Sequence, residues 1–168
     1  MKIYLSNLFN ECENLTNINQ IKNWNVSNVK DFSFMFHECS LLKDLKPLEN
    51  WNVSNGKTLK MMLALCGFSD IIPLKNWNVS KVNDFSFMFC TISMIKDLKP
   101  LETWNVSNSE NFELMFADLE LLADISPLKD WNVANCKNFK MMFRGLKSLK
   151  NKNVIRAWSP DIEYMFEN

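Results

Sequence analysis

The sequence predicts an α/β solenoid, a stack of about six coils with short parallel strands on one face and short helices on the other. One observation behind this is a repeated phrase. Residues 24–36 read WNVSNVKDFSFMF and residues 77–89 read WNVSKVNDFSFMF, with related phrases beginning at Trp51, Trp104 and Trp131. Another is the spacing. Trp24, Trp51, Trp77, Trp104, Trp131 and Trp158 recur about every 27 residues, and a fixed period of this length marks stacked repeats. The last is a change of step within each repeat. Apolar residues fall at every third position (Phe36, Cys39, Leu42, Leu45, Leu48, Trp51), then the step drops to two between Trp51 and Val53. That is the local alternation of a strand.

Taken in order, residues 1–23 form a partial N-terminal coil: Leu5, Phe9, Cys12 and Leu15 stand one full repeat before Phe32, Phe36, Cys39 and Leu42. Full repeats start at 24, 51, 77, 104 and 131, the second being one residue short between Cys66 and Asp70. A shortened C-terminal coil starts at 158 and resumes the pattern with Ile162, Met165 and Phe166. Residues 1–168 are thus a single repeat domain. Each WNV predicts a strand of about three residues, paired to the next by its backbone. Ser27 or Asn28 is placed to cap a helix, with Asp31 in its first turn and Val29, Phe32, Met35, Phe36 and Cys39 on one face. Pro47, Pro73, Pro100 and Pro127 are expected to close that segment, since proline cannot continue a helix. No single coil can bury its apolar side, so stacking has to do it.

The 168 residues carry 19 basic and 19 acidic side chains. A net charge of zero argues against nucleic acid as the partner. No apolar run is long enough for membrane insertion. The opening MKIYLSNLFNECENL lacks the features of a secretory signal, so the chain as encoded reads as cytoplasmic. Cys12, Cys39 and Cys66 share a column with Ile92, Leu119 and Leu146, and Cys90 and Cys136 share theirs with alanines and valines. Places taken equally by Cys, Ile and Leu are buried and apolar, which predicts free structural thiols in a reducing compartment. A bridge between stacked cysteines of neighbouring coils is the other reading. No metal or cofactor is expected.

Nor is an enzyme. His37 is the only histidine, in a variable column that predicts exposure, and the three glycines form no phosphate loop. Asp31 and Asp84 recur because the repeat recurs. The N-x-S triplets at Asn25, Asn52, Asn78 and Asn105 have the same origin.

The repeat resembles that of the BspA-like leucine-rich-repeat family, and within it the bacterial surface proteins whose repeat reads W-D-V-S-N-V-x-x-M-x-x-M-F-x-x-C-x-x-L. Trp24, Val26, Ser27, Asn28, Val29, Met35, Phe36, Cys39 and Leu42 carry the match, which extends from Leu5 to Phe166. The resemblance implies a right-handed leucine-rich-repeat stack and a role in adhesion or host interaction, at the cell surface if an export signal precedes the chain. Asparagine replaces the family's aspartate after the tryptophan of every full repeat (Asn25, Asn52, Asn78, Asn105 and Asn132).

Two columns are candidate binding surfaces. Alternation along WNV points Asn25, Asn52, Asn78, Asn105 and Asn132 away from the core, as a polar ladder on the concave face. It is either a ligand platform or a spine of asparagines bonded to each other and to loop backbone. Phe34, Met61, Phe87, Leu114, Met141 and Tyr164 fall about 200° around a helix from the inward aromatics and so predict an outward apolar stripe. Such stripes mark interfaces. The expected function is a non-catalytic protein–protein interaction scaffold, with self-association into a homo-oligomer and surface adhesion as the alternatives.

Overall fold

A computed structural model describes residues 5–159 and 162–167. The start of the partial first coil and part of the shortened last one therefore lie outside the described residues. The expected α/β solenoid is not what the chain forms. The described residues contain no α-helix and no strand longer than one residue. The regular elements among them are three-residue 3-10 turns, such as Lys46–Leu48, Ile72–Leu74, Lys99–Leu101 and Ser126–Leu128. Neighbouring coils meet in single parallel bridges that run Asp31 to Thr58, Asp84, Asn111 and Asn138. These bridges fall seven residues after each tryptophan, inside the segment expected to be helical, and not at WNV.

The backbone of that segment explains the correction. Met35, His37 and Cys39 donate their N–H groups three residues back, to Phe32, Phe34 and Phe36. The residues between do something else. Phe32, Phe34, Phe36 and Glu38 donate to Thr58, Lys60, Met62 and Ala64 of the next coil, at 2.9–3.2 Å. A helix would take every N–H for its own i−4 carbonyl. Here half of them leave the coil, and the rest close overlapping turns.

The geometry that allows this is left-handed. Phe34, Glu38, Met61, Leu65, Phe87, Thr91, Leu114, Asp118 and Met141 all have φ between 53° and 62°, as do Asn7 and Glu11. For a residue with a side chain this costs about 1–2 kcal/mol. Each of these eleven donates its N–H to a carbonyl of the following coil, so the strain sits where the stack is joined.

Thr91 gives a test by sign. It is exposed, β-branched and left-handed (φ 62°). Thr91→Gly is expected to raise stability by about 0.5–1 kcal/mol in urea unfolding. In a helix the same change would lower it by a similar amount.

On the WNV side the coils are joined by side chains. The local backbone is committed to turns, with Trp51 donating to Leu48 and Gly56 to Val53. The indole Nε1 of Trp51, Trp77, Trp104 and Trp131 donates at 3.0–3.1 Å to Ile21, Leu48, Leu74 and Leu101 of the preceding coil. Asn55, Asn108 and Asn135 reach back through Nδ2 to the carbonyls of Ser27, Ser80 and Ser107, at 2.7–2.8 Å. The prolines also act differently from expectation. They sit at the start of the 3-10 turns, where a fixed φ and a missing donor cost nothing.

The core is a set of aromatic ladders at coil spacing. Phe85, Phe112 and Phe139 stack at 5.6 and 5.8 Å between ring centres. Phe89, Phe116, Phe143 and Phe166 stack at 5.8, 5.8 and 5.4 Å. Leu59 and Leu63 interrupt both ladders in the second repeat and are fully buried there. Trp51, Trp77, Trp104 and Trp131 are 4–5% exposed, whereas Trp24, which follows the partial first coil, is 40% exposed.

Candidate functional site

Side chains at the turns are largely engaged in holding the fold, and three columns show how. Asn25, Asn52, Asn78, Asn105 and Asn132 are exposed, and each Oδ1 accepts the N–H two residues on, at 3.1–3.2 Å. Ser27, Ser80 and Ser107 add an O–H bond to the same oxygen at 2.7 Å. Asp31, Thr58, Asp84, Asn111 and Asn138 accept from the residue two on in the same way. So do Asn17, Asp44, Asp70, Asp97, Asp124 and Asn151, ahead of the 3-10 turns. Side chains of this length mimic a backbone turn when they bond two residues forward. Each coil thus has three capped turns.

The polar ladder is therefore made of local caps. Among the described residues no hydrogen bond joins one of its asparagines to the next. A column three residues later does run between coils, with Asn55, Asn108 and Asn135 donating to backbone carbonyls of the preceding coil. The paired acids also have structural partners: Asp31 binds the N–H and hydroxyl of Ser33, and Asp84 the N–H of Ser86.

The predicted apolar stripe does not stand out from the surface. Phe34, Met61, Phe87, Met141 and Tyr164 are half-buried, and Leu114 is buried. An outward phase holds on a helix, whereas the backbone is left-handed at Phe34, Met61, Phe87, Leu114 and Met141. The column that does stand out is another one. Leu41, Met94 and Leu121 are 44%, 50% and 41% exposed, each two residues after the inward Cys39, Ile92 or Leu119. The short second repeat has no residue at this place, but Leu65, just before it, is exposed. A signal was present in the sequence. Leu41, Met94 and Leu121 are apolar yet lie off the every-third-residue run that fills the core.

His37 is half-buried, not exposed, with Nδ1 2.9 Å from Asn10 Oδ1 and its ring edge-on to Phe34 at 5.6 Å. In the same column Arg144 pairs with Asp118, which holds the guanidinium above its usual pKa. Lys137–Glu110 and Lys147–Glu120 tie neighbouring coils at 2.6 Å. All five cysteines are unpaired. Burial pushes the thiols of Cys39 and Cys136 up to about 11, and that of Cys66 higher still. Among the described residues no group of three His, Cys, Asp or Glu is placed to hold a metal ion, and no helix is long and apolar enough to cross a membrane. Among the described residues are shallow grooves, such as one of about 390 Å³ beside Trp131, Cys136, Phe139 and Trp158.

A family model described as Mycoplasma protein of unknown function, DUF285, matches residues 3–124 and again residues 68–168. The two matches together span nearly the whole chain. No curated protein matches.

Proposed function

This chain belongs to that DUF285 family, whose description offers no activity to inherit, and we propose from the geometry that it is a non-catalytic protein–protein interaction scaffold. One observation carries the reading. The recurring polar caps support the coils, while Leu41, Met94 and Leu121 form an exposed apolar column on a backbone held by capped turns. Apolar side chains aligned on a fixed surface favour docking of a protein partner. The likeness of the repeat to BspA-like surface proteins supports a recognition role, though not the leucine-rich-repeat architecture it implied. The five unpaired thiols favour a reducing, cytoplasmic setting.

The test is a triple variant, Leu41→Ser/Met94→Ser/Leu121→Ser, beside Phe34→Ser. Substitutions at exposed places are expected to change stability by less than about 0.5 kcal/mol each. Affinity capture from cells that carry the gene should then return a partner with the native chain and with Phe34→Ser, and lose it with the triple variant. If light scattering shows a native oligomer that the triple variant reduces to a monomer, the column is a self-association surface and the self-assembling alternative replaces the scaffold. Equal capture by all three chains would remove the column from consideration.

A further inference from the structure

We propose that Cys12 and Cys39 are a redox pair that closes into a disulfide between the first two described coils when the chain meets a low-molecular-weight disulfide. This does not depend on the docking column. The two residues occupy the same place in successive coils, one full repeat apart. The carbonyl of Phe9 accepts from both, from the N–H of Cys12 at 3.1 Å and the S–H of Cys39 at 3.2 Å. The Cys39 sulfur therefore lies against the turn that Cys12 ends. Asn7, Phe9 and Glu11 donate to Ser33, Met35 and His37 at 2.8–2.9 Å, which holds the coils at the spacing of a parallel ladder, about 4.8 Å. That falls inside the Cα separation a disulfide spans, about 4.4–6.8 Å.

Exposure sets the order of events. Cys12 is exposed, whereas Cys39 and the next thiol of the column, Cys66, are buried. Cys66 repeats the arrangement, with its S–H on the carbonyl of Phe36 at 3.0 Å, but both members of that second pair are shut away from a reagent. In the first step the Cys12 thiolate attacks one sulfur of the reagent R–S–S–R. A mixed disulfide forms, and one R–S⁻ leaves and takes up a proton. In the second step Cys39 gives its proton to solvent, and its sulfur attacks that of Cys12. The Cys12–Cys39 bond forms, and the second R–S⁻ leaves. The two thiols lose two electrons, and the reagent is reduced to two R–SH. Burial and the neighbouring Cys12 hold the Cys39 thiol up at about 11, so the second step is the slow one. Below that value its thiolate fraction, and hence its rate, rises about tenfold per pH unit.

The experiment treats the full chain with oxidised glutathione between pH 7 and 9 and blocks residual thiols with a maleimide. The products are read by intact mass, non-reduced peptide mapping and thermal unfolding. The native chain is expected to pass through a glutathione adduct on Cys12 to a monomer lacking two hydrogens, with Cys12 and Cys39 peptides linked. Its Tm should rise by about 10 °C, since the bridge closes a loop of about 27 residues. Cys12→Ser, at an exposed position, should form no bridge and show no rise in Tm. Three outcomes would overturn the pair: an adduct on Cys12 that persists at pH 9, oxidation that yields only disulfide-linked dimers, or a bridge to Cys90 or Cys136.

Discussion

Truncating Phe112 to alanine is expected to lower stability by about 4 kcal/mol. Phe112 is fully buried in the middle of the stack. Its ring lies between Phe85 at 5.6 Å and Phe139 at 5.8 Å, and Trp131 leans on it at 5.8 Å. The alanine variant would lose three ring contacts and leave a cavity between two coils, neither of which can collapse without shortening the ladder of N–H bonds beside it. At about 2–4 °C per kcal/mol for a chain of this size, the Tm should fall by about 10 °C. The shape of the transition carries further information. In a stack, each coil is stabilised by its neighbours, so a break in the middle weakens the coupling between the two halves. Phe112→Ala should therefore lower the urea m-value as well as the midpoint. A loss under about 1 kcal/mol, typical of a substitution outside a packed core, with an unchanged m-value would mean that the ring ladders do not hold the coils together.

Much of that core was legible in the sequence, because burial follows register and register follows the tryptophans. Phe32, Met35, Phe36, Cys39, Leu42, Leu45 and Leu48 are all buried, and each lies in the apolar run. What the pattern could not supply is the backbone that carries it. An apolar residue every three or four positions suits an amphipathic helix, and it suits equally a chain of overlapping turns whose local bonds also span three residues. The two differ in handedness at Phe34, Glu38 and their equivalents, where φ is near 60°. Phenylalanine, glutamate and threonine do not announce that conformation as glycine or asparagine would.

The outward phase expected of Phe34 and its equivalents rested on the same helix. A rotation about an axis, counted residue by residue from Phe32, has meaning only on a helix. The caps are legible in the sequence. Asn-Val-Ser, Asp-Phe-Ser and Asp-Leu-Lys each place an Asn or Asp two residues before a bonded N–H, which is a turn signal with a known mechanism. Read that way, Asn25, Asn52, Asn78, Asn105 and Asn132 and the aspartates at 31 and 84 point to turns and not to a strand and a helix.

Gly67→Ala is expected to cost about 3 kcal/mol, although it adds a single methyl group. The second repeat is one residue short, and the missing place follows Cys66. The preceding coil reads Cys39-Ser40-Leu41-Leu42, whereas this one passes from Cys66 through Gly67 straight to the buried Phe68. The shorter path draws its backbone against the coil beneath. A Cβ on residue 67 would lie 2.2 Å from the carbonyl oxygen of Ser40 and 3.2 Å from its carbon. That carbonyl cannot swing away cheaply, because Leu42 donates to Cys39 at 2.9 Å in a turn around it. The conflict is between two backbones, so no change of rotamer relieves it. Inserting one residue after position 67 in the Gly67→Ala variant should recover most of the loss, since the restored length carries the chain outward, as Ser40 and Leu41 do in the coil below. Urea unfolding of the three chains decides the point. A Gly67→Ala variant within about 0.5 kcal/mol of the native chain, the range of an unconstrained surface substitution, would show that the close approach is not a constraint. A loss that the insertion does not recover would place its cause elsewhere than in the length of the coil. Should the insertion rescue the fold, choosing leucine for the inserted residue would also restore the gap in the column of Leu41, Met94 and Leu121. Stability and partner capture could then be compared on chains that differ at one place.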